Sequence, residues 1–216
     1  MAELEARFKE EAPYVDVVEV WLDSVEDLRL AEIFFEKEGI KTPFLFVNKT
    51  PEEGGDFMGT PEEHIEMLIE MFERGARYVD VALETDEKLI KQLAKAKGKD
   101  DKLILSYHNF EETPSLDELK KLVKDGIKKG ADIVKLATFV GDRIQNVTLF
   151  EVIRWAQEEG INIITVGMGE EGVMSRVMCP LLGSHMYYAP LKKGDETAPG
   201  QLTKAELEEI WSLMGY

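Results

Sequence analysis

One lysine in this chain lies where covalent chemistry could be done: Lys135, at the centre of Ala131-Asp132-Ile133-Val134-Lys135-Leu136-Ala137. Strands of a parallel sheet are covered on both faces and read as continuous apolar runs, so the run predicts a buried strand and a buried ammonium. Burial favours the neutral amine, and a neutral lysine amine beside a carbonyl carbon is a Schiff-base nucleophile. A competing reading places Lys135 at the solvent end of a short strand, paired with a carboxylate, because lysine is rarely buried without a partner. His108 closes the run Leu103-Ile104-Leu105-Ser106-Tyr107, where it could carry a proton at neutral pH or only hydrogen-bond in a core. Polar residues gather near the ends of other apolar runs: Glu19 and Asp23, Lys49 and Glu53, Met168, then Arg176 and Gln201. An amine, a proton carrier and an orienting carboxylate form the set that imine chemistry next to a carbonyl requires.

The segments that must hold these residues alternate between two periodicities. Strands are predicted at Val15–Leu22, Phe44–Val47, Tyr78–Leu83, Leu103–Tyr107, Ile133–Ala137, Ile161–Val166 and Met186–Ala189. Helices are predicted over residues 2–12, 24–38, 60–75, 87–96, 115–130, 147–159, 173–182 and 203–214. Thr60-Pro61-Glu62-Glu63 and Ser115-Leu116-Asp117-Glu118 carry helix-start signals, a hydroxyl followed three residues later by glutamate. Alternation of strand and helix implies parallel pairing with right-handed crossovers, and seven units point to a single (β/α)8 TIM-barrel-type domain over residues 1–216. The chain enters on a helix, so the first strand of such a barrel is expected to be lacking. In a barrel the site lies at the carboxyl ends of the strands, where the polar residues above are found.

Composition narrows the function classes. Forty-three acidic against 26 basic residues give a net charge of -17, which disfavours nucleic acid and anionic membranes as partners. A small-molecule substrate is expected, and a homodimer is left open. Cys179 is the one cysteine, read as a core residue, and this suits a reducing compartment. With no signal region or bilayer-length apolar run, the cytoplasm is the expected location. His64 falls in a Glu-rich helix and reads as surface, His185 follows Gly183-Ser184 and reads as structural, and neither joins His108 at a zinc-like spacing. No metal and no cofactor are expected. Gly167-Met168-Gly169-Glu170-Glu171-Gly172 matches the dinucleotide fingerprint G-x-G-x-x-G, but Glu170 and Glu171 would repel a pyrophosphate. A tight glycine-rich turn is the preferred reading.

With these residues assembled, the chain resembles the type I 3-dehydroquinate dehydratase family. The resemblance runs from Val17 onward, on Ile104-Leu105-Ser106-Tyr107-His108-Asn109-Phe110, Gly130-Ala131-Asp132-Ile133-Val134-Lys135-Leu136-Ala137 and Thr197-Ala198-Pro199-Gly200-Gln201. Glu53-Gly54-Gly55, Tyr78-Val79-Asp80-Val81, Met168-Gly169 and Ser175-Arg176 support it. It implies a metal-independent lyase of the shikimate pathway, serving aromatic amino acid biosynthesis, that dehydrates 3-dehydroquinate to 3-dehydroshikimate. Lys135 would form the imine, His108 would act as general acid and base, and Glu53 would orient His108. Arg176 would clamp the substrate carboxylate, Thr197 and Gln201 would close the last loop over it, and Glu19 would meet a hydroxyl. Met168 and Phe110 would wall the pocket, with Lys49 in the place of a family arginine. Trp21 also stands where the family carries arginine, Asn109 where it often carries aspartate, and Thr197 where serine is usual. Two alternatives remain at this stage: another imine-forming lyase or aldolase with a changed substrate, or a non-catalytic ligand-binding relative.

Overall fold

Phe44-Leu45-Phe46-Val47 is buried at every position, as a central parallel strand requires. The computed structural model describes residues 12–24 and 42–216. The helices expected over residues 2–12 and 24–38 lie almost wholly outside the described residues. Six strands occur among those described: β1 (Val18–Trp21), β2 (Phe44–Val47), β3 (Tyr78–Ala82), β4 (Lys102–Asn109), β5 (Ile133–Phe139) and β6 (Ile163–Met168). They follow chain order in the sheet, and β1–β2, β2–β3 and β5–β6 pair parallel. The helices between and after them are α1 (Pro61–Glu73), α2 (Glu87–Ala96), α3 (Leu116–Lys129), α4 (Asn146–Glu158), α5 (Val173–Leu182) and α6 (Lys204–Met214). The fold is the alternating α/β one that the periodicity predicts.

Two compact units divide the chain, one reaching Leu105 and including Lys129–Ala131, the other holding Ser106–Lys128 and Asp132–Tyr216. In the first, Leu45, Phe46, Ile65, Leu68, Met71, Ile90 and Leu93 are fully buried. Lys129, which falls in that unit, donates from its Nζ to the Leu83 carbonyl at 2.6 Å. In the second, Ile133, Leu149, Val152, Ile153 and Ile164 form the core, and each such side chain contributes about 1.5–3 kcal/mol by leaving water. Lys120 and Lys124 of α3 lie over the Trp155 ring of α4, at 5.7 and 5.5 Å from its centroid. These contacts tie the two helices together through the negative face of the indole.

Three hydroxyl caps set helix starts. Thr60 and Thr203 each exchange bonds with a glutamate three residues on, and Ser115 does the same with Glu118. Residues 186–189 do not form the predicted seventh strand. Ser184 Oγ takes the Thr165 N–H that a neighbouring strand would need and donates to the Met186 carbonyl, while Pro190 has no N–H to offer. The segment is instead anchored by its rings, with Tyr187 edge-on to Trp211 at 5.1 Å.

Candidate functional site

β5 extends two residues beyond its predicted end, to Phe139, so Lys135 sits mid-strand and only 8 % exposed. The solvent-end reading of this lysine is therefore excluded. Lys135 pairs in register with Ile164, and its Nζ lies 4.5 Å from the centroid of the Tyr188 ring. The negative face of a π ring attracts a cation placed over it. Phe139 and Met168 are register partners at the ends of β5 and β6, which makes Met168 the last residue of its strand instead of lying two residues past the predicted end at Val166. His108 likewise lies inside β4, one residue from its end, and its ring stacks on Phe110 at 6.2 Å with an interplanar angle of 13°. Residues two apart in extended backbone share a face, and that explains the stack.

Arg176 on α5 is 7 % exposed, and burial pushes its guanidinium down to about 10. Its Nη2 donates to the Pro199 carbonyl at 3.2 Å, and no acceptor among the described residues meets its Nε. A buried guanidinium with donors to spare suits an incoming carboxylate. Ser175 places it: Oγ accepts from Gly167 N and donates to the Gly172 carbonyl, both at 2.7 Å, and Ser175 N donates to Asn146 Oδ1. A Cβ on Gly167 would fall 2.5 Å from Ser175 Oγ, and one on Gly172 would fall 2.6 Å from the Gly167 carbonyl oxygen. The G-x-G-x-x-G run is thus a tight turn closed on Ser175. Thr197 and Gln201 bond one another, through Thr197 N to Gln201 Oε1 at 2.8 Å and Gln201 Nε2 to Thr197 Oγ1 at 3.2 Å.

A second cluster forms in the first unit. Lys49 is 2 % exposed, and its Nζ bridges Glu53 Oε1 at 2.7 Å and Asp80 Oδ1 at 2.9 Å. Register explains the reach, because Val47 of β2 lies opposite Asp80 of β3 and Lys49 follows two residues later. Asp23 fixes the backbone here by accepting from Lys49 N and Asp56 N. Gly55 packs so closely that an added Cβ would stand 2.2 Å from the Lys49 carbonyl oxygen. Glu19 accepts a bond from the Trp21 indole N–H at 2.9 Å, so tryptophan engages the carboxylate two residues away on its strand.

His64 is not the surface residue its helix suggests; it is buried against the Phe57 ring at 5.1 Å. Asp80 is a member of the Lys49 cluster that reading for strand ends missed, and an aspartate in the middle of the apolar run Tyr78–Ala82 was its available signal. Tyr188 gave no signal beyond its aromatic type. Among the described residues no group of three or more His, Cys, Asp or Glu side chains could hold a metal ion, and no helix is long and apolar enough to cross a membrane.

The type I 3-dehydroquinase family model matches residues 1–216. A 3-dehydroquinate dehydratase of Desulfotalea psychrophila is 35 % identical over 198 residues, covering 91 % of this chain and 86 % of that protein. One from Methanococcus maripaludis is 32 % identical over 96 % of this chain and 92 % of its own length. In structure, the type I 3-dehydroquinate dehydratase of Clostridium difficile, solved with covalently modified comenic acid, superposes with a TM-score of 0.84. It is 25 % identical, over 97 % of this chain and 87 % of that one.

Proposed function

Because the chain belongs to the type I 3-dehydroquinase family, we propose that its reaction, the dehydration of 3-dehydroquinate to 3-dehydroshikimate in the shikimate pathway, runs through an imine on Lys135. The observation that carries this reading is a lysine buried in mid-strand with its nitrogen over the Tyr188 ring. The neutral amine adds to the C3 ketone, and loss of one water from the carbinolamine leaves an iminium. That cation withdraws electrons from C2, so His108 can remove a C2 proton to give an enamine. The enamine expels the C1 hydroxyl as His108 returns the proton to it, and water then hydrolyses the imine and frees Lys135. The net change is loss of one water from the substrate.

Arg176 binds the substrate carboxylate in this reading, supported by its buried guanidinium and its unmatched Nε. Thr197, Gln201, Met168 and Phe110 shape the surroundings of Lys135, while Glu53, Lys49 and Glu19 keep the roles that the resemblance implies.

Borohydride reduction with 3-dehydroquinate, followed by mass spectrometry of the peptide containing Lys135, tests the mechanism. Reduction turns an imine into a stable secondary amine and needs no turnover. An adduct on Lys135 is expected; no adduct on folded protein would overturn the imine. His108→Ala should still form the adduct while kcat falls by about 10²–10⁴-fold, the usual range for positioned acid–base catalysis. Normal turnover in that variant would assign proton transfer to another group.

A further inference from the structure

Trp21 ends β1, and the reaction above gives it no part. Its indole N–H donates to Glu19 Oε2 at 2.9 Å, and among the described residues no other side chain bonds that carboxylate. Residues two apart in a strand share a face, so the two side chains project together, while Val20 between them turns the other way and is buried. Register carries the same face across the sheet: Trp21 lies opposite Val47, and Val47 opposite Asp80. Lys49 follows Val47 by two residues, and its ammonium goes to Asp80 and Glu53. Of the two residues that stand in family arginine positions, Lys49 thus gives its charge to those carboxylates, and Trp21 gives Glu19 one neutral donor.

We infer that Trp21 is a specificity-determining residue that makes Glu19 a reader of hydrogen-bond donors: the subsite takes a ring hydroxyl, or an ammonium in its place, and turns away a group that can only accept. The inference rests on the reading that Glu19 meets a substrate hydroxyl. An ionised carboxylate has acceptors and no donor, and an indole has a single N–H, which here is spent on Oε2. The pair therefore offers a ligand acceptors alone. Arginine at position 21 would bring a planar fork of N–H donors and a full charge, so that after bonding Glu19 it could still hold an acceptor. With the indole there, the Glu19 carboxylate is bonded by no cation among the described residues, and an incoming ammonium supplies one. The substrate class that follows is 3-dehydroquinate together with analogues carrying an amine at the carbon that Glu19 reads.

C4 and C5 keep their hydroxyls through the dehydration, so the 4-deoxy and 5-deoxy analogues of 3-dehydroquinate locate the contact. In the wild type one of them should lose about ten- to a hundredfold in kcat/KM, the size of a charge-assisted hydrogen bond, and Glu19→Gln should erase most of that difference. The loss should lie in KM, because neither hydroxyl reacts. Trp21→Phe keeps a ring without the N–H; it should weaken 3-dehydroquinate about three- to tenfold and leave the same deoxy analogue unchanged. Equal effects on both compounds would mean a merely structural role and overturn the inference. With the amine analogue at that carbon, Trp21→Arg should lower kcat/KM relative to 3-dehydroquinate by about tenfold or more, since like charges then meet. An unchanged ratio would overturn the inference as well, and if the arginine variant does not fold, the phenylalanine comparison decides alone. Glu19→Gln without effect on any of these compounds would end the Glu19 reading together with the inference, while borohydride trapping on wild-type protein tests the imine separately.

Discussion

Lys49 places an ammonium between two carboxylates in a nearly dry setting, a residue-scale arrangement whose members are hard to remove one at a time. Losing Asp80 leaves the Lys49 ammonium paired with Glu53 but takes away one buried acceptor, which costs about 1–3 kcal/mol. Asp80→Ala should lower urea-unfolding stability by that order, and a change below about 1 kcal/mol would mean that water enters the gap. Arg176→Ala removes charged hydrogen bonds worth about 1.5–3 kcal/mol each, so KM for 3-dehydroquinate should rise roughly ten- to a hundredfold. Steady-state kinetics check it, and an unchanged KM would remove the carboxylate role. Burial pushes the Cys179 thiol up to about 12, so folded protein should resist thiol reagents at pH 8 and react once unfolded. Lys135 was legible in the sequence because an apolar run with one charge has few explanations. His64 was not, since its helix carries acidic residues and it takes tertiary packing, against the Phe57 ring among others, to bury it.

At the scale of elements, local chemistry announced itself where it was self-contained. The caps at Thr60, Ser115 and Thr203 need only a hydroxyl and a glutamate three residues apart, and all three form. In each box the hydrogen bonds from Thr or Ser hold the glutamate below its ordinary range. Thr203→Ala should cost about 1 kcal/mol in thermal or urea unfolding. The strand expected at Met186–Ala189 fails for a reason that crosses elements, because Ser184 intercepts the β6 N–H first. No periodicity in the segment itself records that competition. Strand ends moved for the same reason: pairing with β6 out to Met168 carries β5 on to Phe139, past the apolar run that marked it. Ser175→Ala leaves the buried Gly167 N–H without its acceptor and should cost about 1–3 kcal/mol, with Arg176 displaced and KM raised in consequence.

Across the whole molecule, a net charge of -17 sets a background of self-repulsion. Raising ionic strength from about 0.01 to 1 M shrinks the screening length from about 30 to 3 Å, so Tm should increase with sodium chloride in calorimetry. A fall would show that surface pairs such as Arg154–Glu158 outweigh the repulsion. The chain's three tryptophans also stand in three unlike settings. Trp155 lies beneath two ammonium groups, Trp211 gives its indole N–H to the Val177 carbonyl, and Trp21 gives its own to the Glu19 carboxylate. Indole emission is sensitive to nearby charge, so the bond between Trp21 and Glu19 makes a built-in optical gauge. A molecule that engages Glu19 would change the colour and brightness of one fluorophore out of three, and Trp21→Phe would silence that response while leaving the other two lit.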